Sequence, residues 1–247
     1  MIKKIYNLLA MIVCGVALTA GGSAFAADVE MEEGVWAFAI DFGLNLADGN
    51  SDTVALTLGA EAAKNWAQNE FFSRADYRYG ETNSKTSTEN IEAVAQYNRL
   101  FSDVDYGYLT STFRWDDIAK MDSRWYIGPG YGRYLVQNDT TEVAGEIGVS
   151  FFTEDVANRT DDGVALRIGQ RWTQVLSETA HLSQYLEYLP QLDDFGDYLL
   201  NAGIAVEAAI NSMVNLRIAI DDRFDKTPGV GLKDNDLFIT AGLVYRP

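Results

Sequence analysis

Apolar and polar residues alternate with a period of two along almost the whole chain. In "VWAFAIDFGLNL", Trp36, Phe38, Ile40, Phe42, Leu44 and Leu46 share one face, and Ala37, Ala39, Asp41, Gly43 and Asn45 share the other. In "VNLRIAIDDR", Val214, Leu216, Ile218 and Ile220 oppose Asn215, Arg217, Asp221 and Arg223. Successive side chains point to opposite faces only in an extended strand, so this pattern predicts β-structure. It yields about twelve strands, near 35–46, 53–63, 70–80, 89–101, 104–115, 123–135, 142–152, 163–174, 180–190, 198–209, 213–224 and 236–246. These stretches exceed the usual strand of about 5–6 residues. They match the roughly 9–11 residues that a tilted strand needs to cross a bilayer.

The apolar face has an order of its own. Trp36, Phe71, Phe101, Trp172 and Tyr245 fall near one end of their strands, and Tyr79, Trp115, Trp125, Phe151 and Tyr188 near the other. Between them lie aliphatic residues, among them Ile40, Leu58, Leu109, Ile147, Ile168, Ile204, Ile218 and Ile239. Aromatic girdles flanking an aliphatic band suit two membrane interfaces, where one side of a Tyr or Trp is apolar and the other wet. The connections agree. "FSDV", "SET" and "INS" are tight, whereas "GETNSKTST", "DDIAKMDS", "EDVANRTDD", "LDDFGDY" and "DKTPGVGLKDN" are longer and polar. Short periplasmic turns and longer outer loops are the habit of an outer-membrane barrel. The expected fold is therefore an all-β, transmembrane, antiparallel up-and-down barrel of about twelve strands. The alternative reading of the same alternation is a soluble periplasmic β-sandwich binding protein, whose polar face meets water.

Residues 1–26 read as an export signal: Lys3 and Lys4, an apolar run from Leu8, then Ala24-Phe25-Ala26 before the expected cut. Residues 27–247 are then the barrel. The only cysteine, Cys14, lies in that leader, which excludes disulfides, thiolate metal sites and thiol catalysis from the rest. With 19 basic against 36 acidic residues and a net charge of −17, the chain is a poor partner for nucleic acid. Expected partners are outer-membrane lipid and lipopolysaccharide. Thr240, Gly242 and Tyr245 in "FITAGLVYRP" resemble the carboxy-terminal signal read by barrel-assembly machinery, with Pro247 in place of the final aromatic.

Four stretches carry a family resemblance: "GLNLADGNSDTVALTLG" after Trp36, "YNRLFSDVDYGYLTSTFRWDDI", "GPGYGRYLV" and "EVAGEIGVSF". Together they make the chain similar to the YdiY-like family of salt-induced outer-membrane proteins, which counts among the domains of unknown function. The resemblance covers nearly all of 27–247. It implies an outer-membrane barrel responsive to osmotic conditions and transfers no catalytic residue. The expected role is envelope integrity or small-solute passage under salt stress, through a narrow charge-lined lumen.

The predicted lumen face carries Asp41, Glu61, Asp76, Glu92, Glu142, Glu146, Glu187, Glu207 and Asp221 beside Arg74, Arg78, Arg114, Arg124, Arg167, Arg171, Arg217 and Arg223. Charges so nearly balanced can pair across neighbouring strands, and Arg suits buried bidentate pairing. They read either as a structural network or as rings of charge that select ions. His181 and Ser183 in "HLSQYLEYL" resemble the His-x-Ser pair of outer-membrane lipid hydrolases, which makes a lipid-acting hydrolase the alternative function. The alternation turns both toward the lumen, so the expected protein is not an enzyme. No cofactor and no metal is expected: "DGNSDT" begins like a calcium loop through Asp48, Asn50 and Asp52 but has Thr53 and Gly59 where glycine and glutamate are required.

Gly128, Gly130 and Gly132 in "GPGYGRYL" lack the Lys-Ser/Thr ending of a phosphate loop. On a lumen face they strip one sector of the wall of side chains. If tight turns set the register, Tyr106 and Tyr108 lie opposite Gly132 and Gly130. Pro129 removes a ladder donor and predicts a bulge or kink.

Overall fold

The computed structural model describes residues 33–47, 52–229 and 232–247. The expected leader and the Asp48-Gly49 hairpin lie outside the described residues. Twelve antiparallel strands run in order: β1 (Ala37–Ala47), β2 (Thr53–Trp66), β3 (Asn69–Thr82), β4 (Lys85–Leu100), β5 (Asp105–Asp116), β6 (Met121–Gln137), β7 (Thr141–Val156), β8 (Arg159–Ser177), β9 (Ala180–Pro190), β10 (Tyr198–Ala209), β11 (Val214–Asp225) and β12 (Asn235–Tyr245). Each pairs with its sequence neighbours, and β12 returns to β1, closing the barrel. A closed barrel leaves no second sheet, so the sandwich reading is corrected. No helix among the described residues is long and apolar enough to cross a membrane.

Alternation sets the two faces. On β1, Ala37, Ala39 and Asp41 are buried, whereas Ile40, Phe42 and Leu44 are exposed. Ile147, Ile168, Ile204 and Ile218 are likewise exposed on the outer face. A continuous apolar belt of this kind is a lipid contact surface, not a solvated one. At the short-turn end the belt meets Trp36, which packs edge-on against Phe71 at 5.7 Å, with the Lys64 ammonium 5.5 Å from the Trp36 ring. At the opposite end Phe113 packs on Trp125 at 4.7 Å, and Tyr198 lies between Tyr188 at 5.3 Å and Phe224 at 5.7 Å.

Three of the five expected long loops are strand instead. β3 and β4 meet through Asn83-Ser84, β7 and β8 through Ala157-Asn158, all four at positive φ, and β5 and β6 turn within 117–120. Two consecutive positive φ values form the hairpin turn whose twist matches the strands it joins, and Asn tolerates that region. Most residues flanking these turns are polar on both faces, with Val156 and Met121 the apolar exceptions beside them. Above the bilayer neither face has to be apolar, so the ladder continues into water. Residues 191–197 remain a long connection between β9 and β10, and the described residues 226–229 and 232–234 lie outside β11 and β12.

The register across β5 and β6 is the one that tight turns predict, and the glycine sector of β6 is filled. Tyr106 pairs with Gly132 and Tyr108 with Gly130. A Cβ on Gly132 would lie 2.2 Å from Cζ of Tyr106, and one on Gly130 2.2 Å from Cζ of Tyr108. The rings occupy the space the side chains vacate, a known use of aromatic residues over strand glycines. At Pro129 the expected bulge gives way to a lapse in pairing. Gly128 and Pro129 lose their partners on β7, yet Ile127 with Phe151 and Gly130 with Gly148 keep one register. A Cβ on Gly128 would stand 1.8 Å from the Val149 carbonyl oxygen, so the backbones touch where the donor is missing. The bulges of β6 lie between Met121 and Ser123 and between Tyr134 and Val136.

A candidate functional site in the barrel interior

The inward side chains assemble into linked ion clusters. In the first, Arg74 on β3 bonds Asp76 at 2.7 Å and Asp41 at 2.9 Å and touches Glu61 directly. Arg217 on β11 reaches Glu61 at 2.9 Å and Asp41 at 3.3 Å, so this cluster crosses the β12–β1 closure from inside. Toward the short-turn end Arg246 contacts Glu207, which also accepts from Asn215 at 2.5 Å.

A second cluster spans the lumen. Glu92 on β4 accepts from Arg114 on β5 at 3.0 Å, faces Arg78 on β3 at 3.7 Å and touches Arg223 on β11. β4 and β11 are five strands apart around the wall, so this contact crosses the interior. Arg114 donates to Asn201 on β10 at 3.0 Å, another crossing. Arg124 joins Glu154 at 2.5 Å on the adjacent β7 and Asp225 at 2.8 Å on β11. Arg78 and Arg223 each lie 4.9 Å from the ring of Phe238. A guanidinium over an aromatic face gains from the ring quadrupole, more so where water is scarce.

The third cluster centres on Glu146, which is 5% exposed. It accepts from Arg167 at 2.7 Å, the Tyr106 hydroxyl at 2.8 Å and Gln96 at 2.8 Å, and pairs with Arg171 at 3.1 Å. Arg167 also donates to Glu187 at 2.6 Å and lies 5.0 Å from the Tyr108 ring. A buried carboxylate is tolerated only with its lone pairs satisfied, and Glu146 has four partners. Between the clusters lies a cavity of about 190 Å³, bordered by Asp41, Arg74, Glu92, Arg114, Glu187, Arg217 and Asp221 among others. Beyond it, toward the long-loop end, Phe152, Ala165, Leu189 and Leu199 pack together inside the wall with Tyr126 against them.

Ser183 borders this cavity, and His181 lies opposite Glu207, so the pair is turned away from the lipid face. Among the described residues no group of three or more His, Cys, Asp or Glu is arranged to hold a metal ion. Several members of the interior lie outside the predicted set of inward charges, although the alternation already turns Gln96 and Asn98 inward. Gln96, Asn98, Glu70 and Tyr134 extend the Glu146 network, Tyr134 donating to Glu70 at 2.7 Å. Tyr185 covers Gly203, whose added Cβ would lie 2.2 Å from its Cε1, and Phe152 covers Gly163. Both repeat the aromatic-opposite-glycine register that was legible at Tyr106 and Tyr108.

A closed twelve-strand wall, a lipid-facing apolar belt and a charged interior define a porin-like outer-membrane β-barrel. The chain belongs to the family described as "Protein of unknown function, DUF481", whose profile matches residues 40–246. Among solved structures it is similar to the NanC porin, with 6% identity and a TM-score of 0.52 over 85% of this chain and 99% of that one. The KdgM porin has 9% identity and a TM-score of 0.46 over 85% and 98% of the two chains. The translocator domain of autotransporter NalP from Neisseria meningitidis has 14% identity and a TM-score of 0.45 over 85% and 87%. No curated protein matches the sequence.

Proposed function

We propose that this barrel passes small solutes across the outer membrane through a narrow, charge-lined lumen, in a role tied to osmotic or salt stress. The observation that carries the reading is the set of ion pairs crossing the interior around the cavity, with Glu92 held by arginines of β3, β5 and β11. A space of about 190 Å³ takes a few waters or one small solute. Near-equal numbers of carboxylates and guanidiniums favour ions and zwitterions of small size over strongly charged polymers. The salt-stress link rests on the YdiY-like resemblance, and assembly by barrel-assembly machinery on the Thr240, Gly242 and Tyr245 pattern.

Single-channel recording in planar bilayers tests this. The wild type gives small discrete conductance steps. Glu92→Gln raises them and shifts selectivity toward anions, because three guanidiniums lose their shared counter-charge. A folded barrel that carries no current in either form refutes solute passage and leaves the ion pairs as wall filling.

A further inference from the structure

β1 and β12 close the barrel through three paired positions: Ile40 with Tyr245, Asp41 with Val244 and Phe42 with Leu243. The next shortest ladder, β8 with β9, pairs nine. Gly43 and Gly242 mark where the closure stops. A Cβ on Gly242 would stand 2.5 Å from the Phe42 carbonyl oxygen and 3.1 Å from Cα of Gly43, so the backbones touch there and pair no further. Both strands stay regular beyond that point. Leu44 and Leu46 still pair with Leu56 and Val54 of β2, and Ile239 with Ile220 of β11. Their outer flanks are bare: Ile239 is 71% exposed against 41% for Ile220, and Leu46 is 61% exposed.

Unpaired backbone facing lipid is expensive, and irregular or open edges at membrane depth persist only where they line a polar cavity. This seam does so. Gly43, Thr57, Thr240 and Gly242 border the lumen cavity, with Asp41, Arg74 and Arg217 beside them. Oδ1 of Asp41 is buried and has no hydrogen-bond partner among the described residues. An acceptor left open in a low-dielectric site calls for a donor.

We propose that the β1–β12 seam is a lateral portal between the lumen and the outer leaflet, and that it admits a single-chain zwitterionic amphiphile. The acyl tail lies along Leu46 and Ile239 on the lipid side. The ammonium of the head meets Asp41, its phosphate meets Arg74 and Arg217, and Thr57 and Thr240 bond the remaining oxygens. The bare backbone of Gly43–Leu46 and Ile239–Gly242 is covered by the same head and its water. This route is separate from axial solute passage.

The test uses the folded barrel in phosphatidylcholine vesicles containing lysophosphatidylethanolamine, with a photocrosslinking residue in place of Thr240. Mass spectrometry is expected to find the lysolipid attached at that position. Extending the register places Leu44 opposite Ala241, so Leu44→Cys/Ala241→Cys bridged by a disulfide or a short bismaleimide closes the seam and abolishes the adduct. Ile147→Cys/Ile168→Cys, bridged across the intact β7–β8 ladder away from the seam, leaves it unchanged. Gly242→Ala, which wedges the strands apart, raises the yield without any bridge. No adduct in the unbridged protein, an adduct indifferent to the seam bridge, or a fall with Gly242→Ala overturns the proposal. Conductance along the axis is the same with and without the bridge, so failure of either route registers separately.

Discussion

Gly132→Ala tests whether the tyrosine cover is what requires glycine in β6. The backbone of Gly132 is ordinary strand; among the described glycines only Gly34 has a positive φ. Conformational freedom therefore gives no reason for glycine here, and the reason is steric. The new methyl would sit 2.2 Å from Cζ, 2.3 Å from Cε2 and 2.6 Å from the hydroxyl of Tyr106. That ring is fully buried and packs on Tyr134 at 5.1 Å, and its hydroxyl lies 2.8 Å from Glu146 and 3.2 Å from Arg171. To restore contact distance the ring must move by more than 1 Å, roughly the shortfall from normal carbon contact. The move strips its bond to the Glu146 carboxylate.

Overpacking costs about 1–3 kcal/mol, and a hydrogen bond to a charged group about 1.5–3 kcal/mol. Gly132→Ala should therefore destabilise the barrel by about 3–5 kcal/mol. Urea unfolding in lipid vesicles, followed by tryptophan fluorescence and heat-modifiable migration, measures this. Tyr106→Phe keeps the ring and removes the hydroxyl, so it isolates the second contribution. Tyr106→Ala alone is costly, but adding Gly132→Ala to it costs nearly nothing, so the coupling energy equals the whole single-variant cost of about 3–5 kcal/mol. Gly145→Ala is the control, because its nearest neighbour is the flexible Leu135 Cδ1 at 3.4 Å. If Gly132→Ala costs no more than Gly145→Ala, or adds fully to Tyr106→Ala, the steric argument is wrong.

Two further outcomes follow from the orientation of the faces. Ile168→Arg, at mid-strand on the lipid side of β8, should cost about 2–4 kcal/mol in vesicles, whereas Leu176→Arg near the short-turn end costs about 0–1 kcal/mol; equal costs would remove the bilayer from the explanation. Phospholipid or lipid A hydrolysis should stay at background for the wild type and for His181→Ala alike. A measurable rate lost in the variant would establish the hydrolase reading instead.

The strands were legible because one rule governs them all. Lipid on one side and a packed lumen on the other force the period of two, and Ile40, Ile147, Ile168 and Ile218 could be placed outward from that alone. The rule lapses where the membrane ends. Residues 80–88 and 154–162 are mostly polar on both faces, and a polar stretch in water reads equally as loop or as continued ladder. Asn83-Ser84 and Ala157-Asn158 resolve it through positive φ values that only Asn among them suggests by type.

Neighbour relations inside the wall were legible for the same reason, since tight turns fix register between sequential strands. Tyr106 and Tyr108 over Gly132 and Gly130 needed nothing more. Contacts across the lumen are different in kind. Glu92 with Arg223 and Arg124 with Asp225 join strands five places apart, and their meeting depends on barrel diameter, strand tilt and side-chain length together. No local pattern encodes those quantities. The alternation could supply an inventory of inward charges, but not which of them would meet or that Phe238 would lie beside two arginines. The same limit explains the seam. β1 and β12 are the two strands whose pairing no turn enforces, so their ladder is set only by closure of the whole sheet, and it is there that pairing shrinks to three positions.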